Sequence, residues 1–277
     1  MIKETKSEMK SPIKKVAIVV PMSDRADLNS DEKISLRHLE RYLGQYDKYL
    51  VVPKDLEIDI PGFQLARFDN SFFGSVLANT RLMLSKKFYE RFLDYEYILI
   101  YHLDALVFSD ELEKWCDAGW DYIGPPWLVC EDSPWVKEPG VGNGGFSLRK
   151  VSSFLKVLSS SHYSIHPDEY WQRKYANKSF SVRLLNLPKK YIKYLRQFNN
   201  VQREVDRFHR NEDLFWGTRA KTYYPEFKIA SVEEALNFAF EAMPRQSIEC
   251  TKGQMPFGCH AWPRYDREFW EPYLLTA

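Results

Sequence analysis

Four short stretches of this sequence hold residue types able to do chemistry. In Tyr97-Ile-Leu-Ile-Tyr-His-Leu-Asp104-Ala-Leu-Val-Phe108 a single carboxylate follows a fully apolar, strand-like run. Ligands of open α/β sheets bind beyond the carboxyl ends of the strands, and a hard carboxylate there suits a divalent cation bridging a diphosphate. An aspartate that only caps a turn is the plain alternative. Asn211-Glu212-Asp213 opens a helical stretch through Trp216. A carboxylate there acts as a general base if it faces a cleft, and otherwise caps the helix. In Gly142-Asn143-Gly144-Gly145 the glycines let backbone approach a ligand closely and Asn143 tolerates a left-handed turn, although a simple hairpin uses the same residues. Gly258-Cys-His260-Ala-Trp262 sets an imidazole among aromatics, where packing competes with ligation.

Two other chemistries fail on context. Gly140 to Gly145 fits G-x-G-x-x-G, but it lies mid-chain after Pro139 and leads into Phe146-Ser-Leu148, not from a first strand into a helix, so a dinucleotide site is disfavoured. Cys250, Cys259 and His260 lack the spacing of a tetrahedral zinc site.

The elements that must position these residues alternate. Val16 to Val20, Tyr49 to Val52, Phe63 to Phe68 and Tyr97 to Tyr101 read as strands, and Ser30 to Leu43, Asn79 to Phe92 and Val151 to Leu158 as helices. Ser109 is expected to cap a helix through Trp115, Tyr122 to Trp127 to form a strand, Phe227 to Ala230 an alternating segment, and Val232 to Phe240 a helix. Short strands apolar on both faces and separated by helices imply an α/β fold with a mostly parallel sheet. From Tyr163 to Arg210 strand signals vanish and basic residues accumulate, as in a helical insertion.

Composition narrows the function. The net charge is +1, which removes the broad basic field of a nucleic-acid binder. Apolar residues at 44% and aromatics at 16% exclude disorder and coiled coil. The polar residues 1–14 carry no apolar leader, and the irregularly spaced Cys116, Cys130, Cys250 and Cys259 suit reduced thiols, so a cytoplasmic protein is expected. Residues 189–210, with Tyr191, Tyr194, Phe198 and Phe208 among the cations, fit peripheral contact with an anionic membrane or with phosphates; a solvated helix pair is the alternative.

Taken in order, Ile34 to Leu39, Tyr97 to Phe108, Val141 to Arg149, Asn211 to Asp213 and Pro256 to Trp262 resemble a bacterial family of largely uncharacterised proteins like the nucleotide-sugar-dependent glycosyltransferases of the GT-A fold. The resemblance spans about Lys15 to Tyr273 and implies a Rossmann-like central sheet in one domain, residues 15–277, with the helical insertion at about 163–210. It places Asp104 at the D-x-D motif that holds Mg²⁺ or Mn²⁺ against the donor diphosphate, with His260 as the downstream ligand; the second acid is missing from Asp104-Ala-Leu106. Pro21, Met22, Ser23, Asp69, Arg81, Gly144 and Gly145 fall toward the donor, a UDP-sugar by analogy. Trp127, Asn143 and Trp216 fall toward a glycan or lipid-linked glycan acceptor. Glu212 and Asp213 resemble the Glu-Asp pair of inverting enzymes, with Asp213 as base. The implied role is surface-polysaccharide assembly. The missing acid keeps open a silent domain that binds nucleotide-sugars or glycans without transferring them.

Overall fold

The computed structural model describes residues 12–22, 25–129, 134 and 136–275. Its strands are β1 (Lys14–Pro21), β2 (Asp47–Pro53), β3 (Phe63–Phe68), β4 (Tyr95–Tyr101), β5 (Leu106–Val107), β6 (Tyr122–Ile123), β7 (Pro126–Trp127), β8 (Gly140–Val141), β9 (Phe146–Lys150), β10 (Ala239–Phe240) and β11 (Gly258–Cys259). The helices are α1 (Ser30–Leu43), α2 (Val76–Met83), α3 (Lys86–Glu90), α4 (Leu112–Asp117), α5 (Val151–Leu158), α6 (Pro167–Tyr175), α7 (Phe180–Tyr194), α8 (Val201–Val205), α9 (Glu212–Tyr223), α10 (Val232–Phe238), α11 (Pro244–Cys250) and α12 (Arg267–Trp270).

The central sheet has the order β3-β2-β1-β4-β9-β6. Its first four strands are mutually parallel, whereas β9 runs antiparallel to both β4 and β6. Strand alternation sends Ala17, Val19, Val51, Ile98 and Ile100 to one face, under α2, α3, α5 and α9. It sends Ile18, Val20, Leu50 and Leu99 to the other, under α1 and α4. Both faces are therefore dry, which is why these strands read as unbroken apolar runs. The α/β class with a mostly parallel sheet is the one expected. A second sheet, β10-β11-β5, brings the chain near residue 240 and the chain near 259 beside the exit of β4.

Several boundaries differ from the sequence reading, for local reasons. Asn79 to Phe92 is not one helix: Ser85 accepts from the Phe88 amide at 3.3 Å, capping α3 and ending α2 before it. Ser109 bonds to Glu111 and caps nothing, so α4 starts only at Leu112. Gly124-Pro125 splits the expected 122–127 strand into β6 and β7, which belong to different sheets. The helix expected to reach Phe240 ends at Phe238, and Ala239–Phe240 extends to pair with β11. Near 227–230 only Ile229 bridges, to Tyr122. Cys116, Cys250 and Cys259 are free thiols.

Candidate active site

In the central sheet the chain leaves β1 for β2 on one side and later returns to place β4 on the other. The crevice beyond the carboxyl ends of β1 and β4 is thus a topological switch point, where open α/β sheets bind ligands. A cleft of about 1170 Å³ opens there, bordered by Pro21 at the end of β1 and Met22 just beyond it, His102 after β4, and Gly144 and Gly145 before β9. A smaller pocket of about 420 Å³ shares Pro21, Met22, His102 and Arg264 with it and adds Asp104.

Where these spaces meet, His102, Asp104 and His260 converge, each offering a ligand atom within 4.8 Å of the others. The tertiary positioning is explicit. The His102 amide donates to Gly145 O at 2.7 Å, Trp262 N donates to Asp104 O at 3.1 Å, and His260 N donates to Phe240 O at 2.9 Å. The His260 Nδ1 pairs with Glu241 Oε1 at 2.8 Å, which leaves Nε2 turned toward Asp104 Oδ1, 3.3 Å away. Burial would push the His260 imidazolium down, but the Asp104 charge and the bonds to Asp104 and Glu241 outweigh it and raise its pKa to about 10. Burial would likewise raise Asp104, yet His260 holds that carboxyl below the usual carboxylate range. Burial and His260 push His102 down to about 4, so it is neutral at pH 7.

This donor set fits a divalent cation. His102 Nε2 is buried with no hydrogen-bond partner. The 3.3 Å between Asp104 Oδ1 and His260 Nε2 is close to the roughly 3 Å between neighbouring ligands on an octahedral ion. Glu241 behind His260 is the carboxylate–histidine arrangement that fixes the tautomer of a metal-binding imidazole. The cluster thus sets Asp104 beside His102, two residues before it, and His260.

Across the cleft, the first turn of α9 carries two carboxylates with different fates. Glu212 is buried and its Oε1 accepts from Arg149 Nη2 at 2.7 Å. Arg149, fully buried on β9, also bonds the Ser147 and Tyr89 hydroxyls. Asp213 borders the cleft, and its Oδ1 accepts from the Leu214 amide at 2.9 Å. Burial, reinforced by the negative charges of Glu212 and Glu241, raises its pKa to about 7 against the pull of that amide and of Arg149. The glycine loop fits between the two walls without clearance: a Cβ on Gly144 would overlap Glu212 Oε1, and one on Gly145 would overlap the His260 ring.

Of the residues singled out from sequence, Pro21, Met22, Trp127, Asn143, Gly144, Gly145, Glu212, Asp213 and His260 border the large cleft, and Asp104 the small pocket. Ser23 lies outside the described residues. Trp216 does not border the cleft: it is fully buried against Tyr89, Phe154 and Phe215, so it cannot stack on a sugar. It shares a face of α9 with Glu212, one turn earlier, and that face turns into the core. Asp69 and Arg81 do not line the cleft either; exposed Asp69 caps a short turn through Ser71, and Arg81 is exposed on α2. Asn143 lines it with its oxygen already committed, to the amides of Gly145 and Phe146, which locks its positive φ of 137°. Trp127 lies over Gly140, Gly142 and Gly217, whose missing side chains make its slot.

Sequence reasoning missed His102 and Glu241. A histidine and an aspartate two apart at the exit of an apolar strand were a readable signal for the first. Glu241 carries none, because only the β10–β11 pairing brings it to His260.

An α/β protein with a titratable cleft at its switch point is the class these features define. The model of a family described as a protein of unknown function, DUF5672, matches residues 62–260, and the chain belongs to that family. No curated protein matches. Among solved structures, the apo-form glycosyltransferase GlyE of Streptococcus pneumoniae TIGR4 is 14% identical, with a TM-score of 0.43 over 95% of this chain and 61% of its own. The chain therefore spans about 61% of the length of GlyE. The galactosyltransferase LgtC, solved in complex with donor and acceptor sugar analogs, is 14% identical with a TM-score of 0.43 over 94% of this chain and 97% of its own.

Proposed function

We propose that this protein is an inverting glycosyltransferase, moving a sugar from a nucleotide-sugar donor, a UDP-sugar in the first instance, to a hydroxyl of a glycan or lipid-linked glycan in surface-polysaccharide assembly. The observation that carries it is that Asp213, a carboxyl with pKa about 7, borders the same cleft as His102 and His260, which converge with Asp104. A general base works best when its pKa lies near the operating pH, and Asp213 meets that condition.

In this reading the donor lies along the crevice beyond β1 and β4, its diphosphate near Asp104 and His260 and its sugar against the bare backbone of Gly144 and Gly145. The acceptor enters beside Trp127, whose face suits a sugar ring. As the acceptor oxygen bonds to the anomeric carbon, the bond from that carbon to the diphosphate oxygen breaks and the nucleoside diphosphate leaves with the electron pair. The hydroxyl proton passes to Asp213. Glu212, paired with Arg149, holds the helix end and keeps the Asp213 pKa high without touching substrate. Asp104 and His260, with His102 beside them, would hold a divalent cation, Mn²⁺ or Mg²⁺, which would supply charge neutralisation for the departing diphosphate.

The test is thermal stabilisation across UDP-, GDP-, dTDP- and CMP-sugars with and without Mn²⁺, followed by transfer assays with the donor that binds. Donor binding that survives Asp213→Asn while transfer collapses, with an inverted product, is expected. Stabilisation without transfer to any acceptor marks a silent binding domain, retention of configuration removes the base role, and stabilisation by NAD alone refutes the reading.

A further inference from the structure

Helix α7 stands apart from the rest of the molecule: none of its fifteen residues is buried. One face meets α6, through Asn186 bonded to the Tyr175 hydroxyl, Lys190 paired with Asp168, and Lys193 over the Tyr170 ring. Advancing about 100° per residue, Phe180, Leu184, Leu185, Tyr191 and Ile192 fall on the opposite side, in an unpartnered apolar stripe roughly 140° wide. Phe180 and Leu185 are 81% and 80% exposed. Of the fourteen large apolar side chains exposed among the described residues, nine lie between Phe180 and Phe198.

The charge around the stripe identifies what covers it. From Tyr170 to Gln202 the chain carries eight Lys or Arg residues and no acid, in a protein whose net charge is only +1. Arg183 and Lys189 flank the stripe on its two edges. An exposed apolar stripe edged by cations, on a helix otherwise peripheral to the core, has the chemistry of a helix lying in the plane of an anionic lipid surface. A protein partner acidic enough to match would still have to bury the apolar side chains, whereas a bilayer takes both at once. No helix among the described residues is long and apolar enough to cross a membrane, so contact is in the interface plane.

We infer that α7 docks this protein on an anionic membrane, with Phe180 and Leu185 entering the acyl boundary and Arg183 and Lys189 meeting the headgroups. Arg210, which borders the large cleft, lies sixteen residues beyond the end of α7. The inference stands on α7 alone and does not depend on the proposed reaction.

The experiment is flotation of the full chain with vesicles of phosphatidylglycerol and phosphatidylcholine in equal parts, and of phosphatidylcholine alone, at low and high salt. Binding to the anionic vesicles, weakened by salt and by omission of the acidic lipid, is expected. Because neither side chain is buried, Phe180→Ser/Leu185→Ser leaves the fold intact by circular dichroism. It lowers partitioning about a hundredfold, roughly tenfold for each side chain withdrawn from lipid. Arg183→Gln and Lys189→Gln lower it about fivefold each at low salt. No flotation at low salt, or flotation unchanged in the serine double variant, overturns the inference. So does concentration-dependent self-association in sedimentation that the double variant abolishes without any vesicle binding, since the stripe then joins two copies of the chain.

Discussion

Asp213→Asn separates stability from function in opposite directions. The carboxyl carries a pKa of about 7 where the ordinary value is 3.8, chiefly because burial penalises its charged form. A carboxyl whose folded pKa is raised costs no stability only below its unfolded pKa, where it is protonated in both states. Between pH 4 and 7 the unfolded chain sheds the proton that the folded chain keeps, so stability falls as pH rises and levels off above 7. At about 1.4 kcal/mol for each tenfold in proton affinity, the penalty at this site grows from about 2 kcal/mol at pH 5 to about 4 kcal/mol at pH 8. Asparagine keeps the shape and the acceptor for the Leu214 amide but never pays that penalty. Urea unfolding of the parent and the variant at pH 5 and pH 8 should therefore show the variant more stable at both, with the gap widening by about 2 kcal/mol at the higher pH. Transfer by the variant should meanwhile be abolished, and kcat/KM of the parent should rise with pH through an apparent pKa near 7. A gap that is absent, or equal at the two pH values, would refute the assignment of the raised pKa to this residue.

Arg149→Met strands the buried Glu212 charge and should cost about 3–5 kcal/mol in chemical denaturation, most of it recovered in Arg149→Met/Glu212→Met; an additive double variant would show that the two groups do not act as a pair. Gly145→Ala should displace the His260 ring and weaken Mn²⁺ binding, read by calorimetry, at a stability cost of about 1–3 kcal/mol; unchanged Mn²⁺ affinity would show that His260 is no ligand. His102→Ala should lower affinity for Co²⁺ or Zn²⁺ more than for Mg²⁺, because imidazole suits the softer ions, and Glu241→Gln should weaken binding about 10–100-fold. Trp216→Ala should cost about 3–5 kcal/mol as a core truncation, whereas Trp127→Ala, which empties a half-buried slot, should cost less and raise the KM for acceptor.

The legible parts of this fold were those set by local periodicity. Helix α1 and strand β3 fall at the residues expected, because a capping Asn29 with Glu32 and a bounding Pro61-Gly62 mark their limits in the chain itself. The helix of Asn79 to Phe92 failed on one hydroxyl, Ser85, whose choice to cap is invisible to an apolar pattern that continues across it. In the site, Asp104 and Asp213 could be singled out because each follows or opens an element. The convergence of Asp104, Glu241 and His260 depends on a three-stranded sheet of two-residue strands too short to leave any pattern. Trp216 misled for the converse reason. An aromatic residue beside an acidic pair looks like a sugar platform until the helix is rotated, and then it is core.

The reversal of β9 has a consequence for how this protein can change. In a wholly parallel sheet, the loop entering a strand emerges at the rim opposite the loop leaving its neighbour. Because β9 runs against β4, the turn that enters it, Gly144-Gly145, emerges beside the exit of β4. One rim of the sheet thus gathers the exits of β1 and β4 with the entrance of β9. The other rim carries contacts such as Lys14 to Asp47 and Tyr95 to Tyr49 and Asp47, which only hold strands together. Substitutions should sort by rim, those on the first altering what the cleft binds, and those on the second altering folding while the cleft stays the same. The residues that shape the cleft are thereby gathered into three short loops that meet along one edge.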